Sequence, residues 1–315
     1  MKIAIIVEPR YLRQEITQAI LRILRDLQVT ADVLCTQDCH FEPDTGHVRT
    51  ESGQEFDLSA YDVVISRSRN ALGLAMLAYL EAAGVPCINS YRAVQRARNK
   101  ADVALALGPA GVPCAPTILA DRTSVLAELP GEWYPLILKS TFGDNSQGLR
   151  LIRRPEELLD VRWGDELALA QHYVPNDGYD LKLYVCGGQV FGMRKPSPLN
   201  ADPGAAAVPI EPDAAMRRVA LACGSALGLE IYGVDAIATP DGPLVIEVNE
   251  FPNFTQVPGA AACITAYIVD RVRARPRAGA AAPIRMHEYV ARESRAWWTK
   301  PWRIARANRL SAASV

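Results

Sequence analysis

Asp235, Glu247 and Asn249 fall within one stretch, YGVDAIATPDGPLVIEVNEFPNF at 232–254, where two apolar runs flank Pro240, Asp241 and Gly242. Val234 to Ala238 and Leu244 to Val248 read as strands, and the Pro-Asp-Gly between them has the chemistry of a three-residue hairpin loop. If Thr239 and Pro243 close that loop, Ile237 faces Val245 and Asp235 faces Glu247, with Cβ atoms roughly 5 Å apart. Asn249, two residues beyond Glu247, points to the same face. Paired carboxylates destabilise a sheet unless a cation neutralises them, and an all-oxygen donor set suits Mg²⁺ carried by a nucleotide's phosphates. A polar edge hairpin facing water would carry the same letters, so the decision rests on what else the chain supplies.

Two further segments supply cations on rigid elements. In YPLILKSTFGDNSQGLRLI an apolar strand ends near Lys139 and is followed by a loop from Gly143 through Ser146 to Gly148, then by another strand. A lysine fixed there meets phosphates, and the loop glycines let backbone N–H groups close over them. DLKLYVCGGQVFGMRKPSP reads as a second hairpin turning at Gly187 and Gly188, with Lys182 and Arg194 on its two strands. The turn is expected to bring these two cations together without local acids, a repulsive arrangement unless both meet phosphate. Between these segments, LALAQHYVPNDG is an apolar strand that leaves into a loop near Gln171.

Asp235 with the Glu247-Val248-Asn249 triplet, preceded by ILKSTFGDNSQG and by the second hairpin, resembles the ATP-grasp superfamily. The pattern is similar to RimK-like carboxylate–amine ligases and, in RKPSPLN and VNEFPNFTQVPG, to the inositol polyphosphate kinases that share the fold. The resemblance covers roughly residues 1 to 270. It implies ATP and Mg²⁺ as cofactors, with Mn²⁺ able to substitute, and a fold in which a small open α/β domain precedes two α+β subdomains that clamp the nucleotide. It places Lys100 and Lys139 on the phosphates, Gln171, Tyr173 and Val174 at the adenine hinge, Asp180 in nucleotide recognition, and Lys182 and Arg194 at the γ-phosphate. The activity it implies is an amide-forming ligation through an acyl phosphate, releasing ADP and phosphate. The alternative is phosphoryl transfer to a polyol or inositol phosphate hydroxyl. A nucleotide-binding protein without turnover is a third reading, opposed by the intact metal triad.

The rest of the chain agrees with a large soluble α/β enzyme. Its 315 residues, 49% of them hydrophobic, suffice for two or three cores. Ile3 to Val7 and Val63 to Ser66 read as strands, and Glu15 to Leu27 and Leu72 to Ala83 as helices, the second ended by Gly84. Ligands of open α/β sheets lie beyond the carboxyl ends of strands, which singles out Glu8, Arg10, Arg67, Ser68 and Asn70 as substrate contacts. Ser197 and Asn253, after the catalytic strands, join them with Arg194. From about Ser90 a helix carrying Arg96, Arg98 and Lys100 is expected to run to GPAGVP.

These readings divide the chain into residues 1–90, a pre-ATP-grasp domain; 91–172, a central subdomain with the glycine loop; 173–270, a subdomain with the metal hairpin; and 271–315, a tail. From Arg271 to Arg309 there are eleven basic residues against Glu288 and Glu293, net +9, while the remaining chain is net −10. With Trp297, Trp298 and Trp302, this tail is expected to pack across the acidic body of its own or a second subunit, which allows a homodimer; no nucleic-acid fingerprint and no membrane-spanning run supports another partner. Small-molecule or peptide acids and amines are the partners that remain. Seven scattered cysteines without a CxxC imply reduced thiols and a cytoplasmic protein; Cys35, Cys39 and His40 lack the second cluster a tetrahedral metal site needs.

Overall fold

The computed structural model describes residues 1–142, 149–164, 167–199 and 206–274. The first third comprises β1 (Ile3–Val7), α1 (Pro9–Leu12), α2 (Glu15–Asp26), β2 (Ala31–Cys35), β3 (Cys39–Glu42), β4 (His47–Thr50), β5 (Glu55–Asp57), β6 (Val63–Arg67), α3 (Ala71–Ala82) and β7 (Cys87–Ile88). Strands in the order β2-β1-β6-β7 form a parallel sheet. Every residue of β1 and β6 is buried, as a sheet covered on both faces requires. On one face lies α3, capped by Asn70, whose side chain accepts from the Gly73 N–H. Between β2 and β6, a small antiparallel sheet in the order β3-β4-β5 is inserted.

The middle of the chain holds α4 (Tyr91–Arg98), α5 (Lys100–Leu107), β8 (Thr117–Ala120), α6 (Thr123–Leu126), β9 (Leu136–Ser140), β10 (Arg150–Ile152) and β11 (Ala168–His172). The single helix expected from Ser90 is broken at Asn99, which leaves helical geometry and accepts from the N–H groups of Ala101 and Asp102. Asn thus starts a new helix with Lys100 as its first residue. Strands β10-β9-β11-β8 form an antiparallel sheet over its own small core, centred on Leu136, Leu138 and Leu158. The α4–α5 pair packs elsewhere, its Ala93, Ala97, Val103 and Leu107 joining the core beneath the next sheet.

That sheet, in the order β14-β13-β12-β15-β16, is antiparallel: β12 (Tyr179–Cys186), β13 (Gln189–Pro196), β14 (Val208–Ile210), β15 (Ile231–Thr239) and β16 (Gly242–Glu250). Two helices complete the chain's described part, α7 (Ala214–Leu227) and α8 (Ala260–Arg273). Helix α7 covers the face that carries Leu183, Val185 and Val234. Helix α8 returns to the first domain, where Ile264 and Ile268 meet Ile16, Ile20 and Leu24 of α2 in a core shared with β1 and β6. No helix among the described residues is long and apolar enough to cross a membrane.

Candidate active site

The metal hairpin turns one residue earlier than expected. Thr239 pairs with Gly242, so the loop is Pro240–Asp241, and Ile237 faces Leu244 while Ala236 faces Val245. Carried to the strand ends, this register would pair Asp235 with Ile246. A β-bulge between Asp235 and Ala236 absorbs one residue and restores Asp235 opposite Glu247, with Gly233 opposite Asn249. At the bulge, Lys139 Nζ donates to the Ile246 carbonyl at 3.3 Å. The two errors in the sequence reading, loop length and ladder regularity, cancel at the one pair that matters chemically.

Lys139 lies on β9 and Gln171 on the adjacent β11, where the Nζ donates to Gln171 Oε1 at 2.6 Å. Burial pushes the Lys139 amine below its ordinary value, against the opposing pull of Glu247. Lys182 is the ladder partner of Asp235 and its Nζ is 2.6 Å from Asp235 Oδ2 and 3.8 Å from Asp180. Burial opposes that charge too, but Asp235, Asp180 and Glu247 together hold the Lys182 amine above its ordinary value. The expected absence of local acids around Lys182 is therefore corrected. Lys100, fixed by its backbone N–H to the Thr141 carbonyl, reaches Glu247 at 3.4 Å.

Two carboxylates set side by side are thus balanced by lysines from three different elements. The donor set on this face is oxygen only: Asp235, Glu247 and the Asn249 amide, the chemistry of a Mg²⁺ site completed by phosphate oxygens. Among the described residues no three His, Cys, Asp or Glu side chains gather to hold a metal, so this face offers two carboxylates and an amide oxygen rather than a complete protein ligand set.

Behind this face, the cleft between the two antiparallel sheets is lined by Lys139, Gln171, Tyr173, Val174, Asp180 and Ser197, with Ile137, Ile237 and Ile246 as apolar walls. The Tyr173 N–H is held by the Pro135 carbonyl at 3.1 Å, and Asn176 donates to Asp180. Gly143, Ser146 and Gly148 lie outside the described residues.

Arg194 does not join the site. The Gly187–Gly188 turn pairs Lys182 with Met193 and Leu181 with Arg194, which puts Arg194 on the opposite face of the sheet. There it stacks on Tyr179 at 3.7 Å and pairs with Asp177 at 2.7 Å. Its neighbour Lys195 is on the active face and lines an open basin with Lys182, Asp235, Glu247 and Asn249. Alternation through a two-residue turn was enough to find Lys195.

Of the expected substrate contacts, Arg10 and Asn253 line the basin, together with Tyr11, Gln14 and Arg69, which the sequence reading missed. Glu8, Ser68 and Asn70 serve the fold instead: Glu8 accepts from the N–H groups of Arg69 and Asn70, and Asn70 caps α3. Arg67 is buried beneath the basin, donating to Thr17, to Gln14 at 2.9 Å and to Asn253 at 3.1 Å. Desolvation pushes its guanidinium down to about 10.

This geometry agrees with what comparison finds. A RimK-like ATP-grasp domain is matched over residues 97–268, and the chain belongs to that family. It is 27% identical over 231 residues to a probable alpha-L-glutamate ligase of Haemophilus influenzae, covering 68% of this chain and 76% of that one. The fold is similar to that of a RimK domain ATP-grasp protein from Sphaerobacter thermophilus, at TM-score 0.67 and 18% identity over 86% of this chain and 99% of the other. It is also similar to the ATP-grasp ligase PsnB, solved with a minimal precursor, Mg and ADP, at TM-score 0.65 and 18% identity over 86% and 98%. The chain is an ATP-dependent carboxylate–amine ligase, and the kinase alternative read from RKPSPLN is set aside.

Proposed function

We propose that the basin and cleft join a small-molecule or peptide carboxylate to the amine of an amino acid. The alpha-L-glutamate ligases among the relatives and the precursor-bound neighbours support substrates of this class. A carboxylate oxygen of the acid attacks the γ-phosphorus of ATP, and ADP leaves. The amine nitrogen then attacks the carbonyl carbon of the acyl phosphate, phosphate leaves, and the amine proton passes to solvent. In this reading Lys139 and Lys100 face the nucleotide phosphates, and Lys182 turns from Asp235 to the transferred phosphoryl group. Asp235, Glu247 and Asn249 would hold Mg²⁺, for which Mn²⁺ substitutes; when bound, the ion neutralises phosphate charge. Gln171, Tyr173, Val174, Asp180 and Ser197 receive the adenosine side. Positioning and charge neutralisation then carry catalysis, with no covalent enzyme intermediate.

One observation carries the reading: Asp235 and Glu247 oppose each other on the active face, ringed by Lys100, Lys139 and Lys182, where the cleft meets the basin. Hydroxylamine added with ATP, Mg²⁺ and an accepted acid is expected to give a hydroxamate and free phosphate. A stable phosphorylated product with no amine requirement would overturn the ligase chemistry. Seven free thiols support a reducing, cytoplasmic setting. The basic tail beyond residue 274 lies outside the described residues, and sedimentation of the chain cut at residue 274 tests the expectation that it holds a dimer.

A further inference from the structure

Arg67 is a buried cation without a counter-ion. It is 4% exposed, and its guanidinium lies over the rings of Tyr11 and Phe251 at 5.3 and 5.0 Å. Among the described residues its Nε has no hydrogen-bond partner, and no carboxylate lies within ion-pair distance. Two neutral amides meet it instead: Nη2 donates both to Gln14 Oε1 at 2.9 Å and to Asn253 Oδ1 at 3.1 Å. A guanidinium offers donors only, so each amide must turn its oxygen to Arg67 and its NH₂ group the other way. Both residues line the basin, and among the described residues neither NH₂ group has a hydrogen-bond partner. Backbone strain is concentrated at the same place. Phe251, Phe254 and Gln256 take φ of 35°, 48° and 60°, left-handed values that favour glycine. Phe251 and Phe254 are buried in the core shared with α2 and α8, so the turn that presents the exposed Asn253 between them cannot relax without opening that core.

A buried charge without a counter-ion destabilises a fold, and what this one supplies is orientation. We propose that Gln14 and Asn253 form a paired N–H donor that grips an uncharged carbonyl oxygen of the acid substrate, with Arg67 as the positioning residue that turns both amides. A carbonyl oxygen has two lone pairs and accepts one bond from each amide. Neither donor is charged, and the cation behind them is engaged by their oxygens, so the pair matches the carbonyl of an amide or a ketone. Arg67 itself touches no substrate. The proposal rests on the ligase reading for the reaction that the held acid undergoes, while the donor pair itself rests on the orientation of the two amides.

The test uses the full-length protein with ATP, Mg²⁺ and hydroxylamine as the amine, so that any selection lies in the acid. N-acetylglycine and 4-oxopentanoate carry a carbonyl at the same distance from their single carboxylate; pentanoate has a methylene in its place. Hydroxamate formation is expected to favour the carbonyl acids over pentanoate by roughly 3- to 30-fold in kcat/KM, the range of one or two neutral hydrogen bonds. Gln14→Glu and Asn253→Asp keep an oxygen for Arg67 and put a second oxygen where the NH₂ group was. Their added charge repels all three acids alike, so the ratio is the quantity read. A purely structural role would leave that ratio intact, since both variants give Arg67 a counter-ion. The donor role predicts that it falls towards 1, through KM, while the melting transition stays in place or rises. Arg67→Met frees both amides to turn and is expected to lower the ratio, and Arg67→Lys, again a donor only, to restore part of it. A wild-type ratio near 1, or a ratio unchanged in Gln14→Glu and Asn253→Asp, overturns the proposal. NMR of the side-chain NH₂ resonances of Gln14 and Asn253, assigned by their loss in the same two variants, supplies an arm without nucleotide. Saturable shifts with 4-oxopentanoate and none with pentanoate, without hydroxamate from any acid, keep the donor pair and remove the ligase chemistry; absence of selective shifts together with absence of hydroxamate removes both.

Discussion

Lys139 and Lys182 line the same cleft and burial lowers both, but burial prevails at Lys139 while the surrounding carboxylates prevail at Lys182, so the two amines shift in opposite directions. Lys182 is the better compensated, held by Asp235 and Asp180, while Lys139 has a neutral amide and a carbonyl as partners. A polyphosphate brought to Lys139 favours its charged form. ATP binding is therefore expected to be accompanied by proton uptake in the pH range between the lowered value of the free enzyme's amine and its value in the complex. Calorimetry in buffers of different ionisation enthalpy reads this directly, and Lys139→Ala should weaken ATP binding by about 1.5 to 3 kcal/mol. Glu247→Gln is expected to abolish Mg²⁺-dependent turnover while leaving the melting transition near its original temperature, since Glu247 is half-buried at a charge cluster and outside the apolar cores. Arg194→Ala, by contrast, removes an exposed pair on the other face of the sheet and should cost at most about 1 kcal/mol of stability, with ATP affinity unchanged.

At the scale of elements, the active face is held from behind by α7 against β15. Gly224 lies in the interior of α7, where alanine would ordinarily favour the helix by about 1 kcal/mol. Here a Cβ would stand 2.1 Å from the Tyr232 hydroxyl, which is buried and donates to the Ala220 carbonyl at 2.9 Å. The contact is too short for a small adjustment, so overpacking of about 1 to 3 kcal/mol outweighs propensity. Gly224→Ala is accordingly expected to lower the midpoint of thermal unfolding, and a raised midpoint would show that Tyr232 moves freely. The hairpin β15–β16 makes a related point about pattern and geometry. Its turn chemistry is visible in Pro240 to Gly242, but whether two or three residues form the loop depends on which pair closes it. The compensating bulge has no signature in the letters, because Val245, Ile246 and Val248 are equally good strand residues.

In the molecule as a whole, the N-terminal sheet depends on a helix from the far end of the described chain. Asn89 ties the end of that sheet to the start of β15, donating to the Ile231 carbonyl at 2.7 Å and accepting from the N–H groups of Glu230 and Ile231. Tyr61, Tyr232 and Tyr267, in three parts of the fold, all have hydroxyls pushed up from the ordinary 10.0, chiefly by burial and in Tyr61 and Tyr267 also by bonds to Asp32 and Glu230. A pKa raised in the folded state is stability that is whole below the unfolded value and lost as pH climbs beyond it. Denaturant titrations are therefore expected to show stability falling above about pH 10, and Tyr61→Phe should flatten that fall. The sequence by itself determined what depends on nearest neighbours along the chain. It determined the apolar strand of Lys139, the glycine turn of β12–β13 and the oxygen donors of β15–β16, because local geometry and side-chain chemistry are written within a few residues. Which cation faces the basin, Arg194 or Lys195, was decided by the parity of a turn. The partnership of Lys182 with Asp235, the meeting of Lys100 with Glu247 and that of Arg69 with Glu250 were decided only by the tertiary structure. These bring together residues far apart in sequence, and strand pairing and the packing of helices on sheets fix their distance.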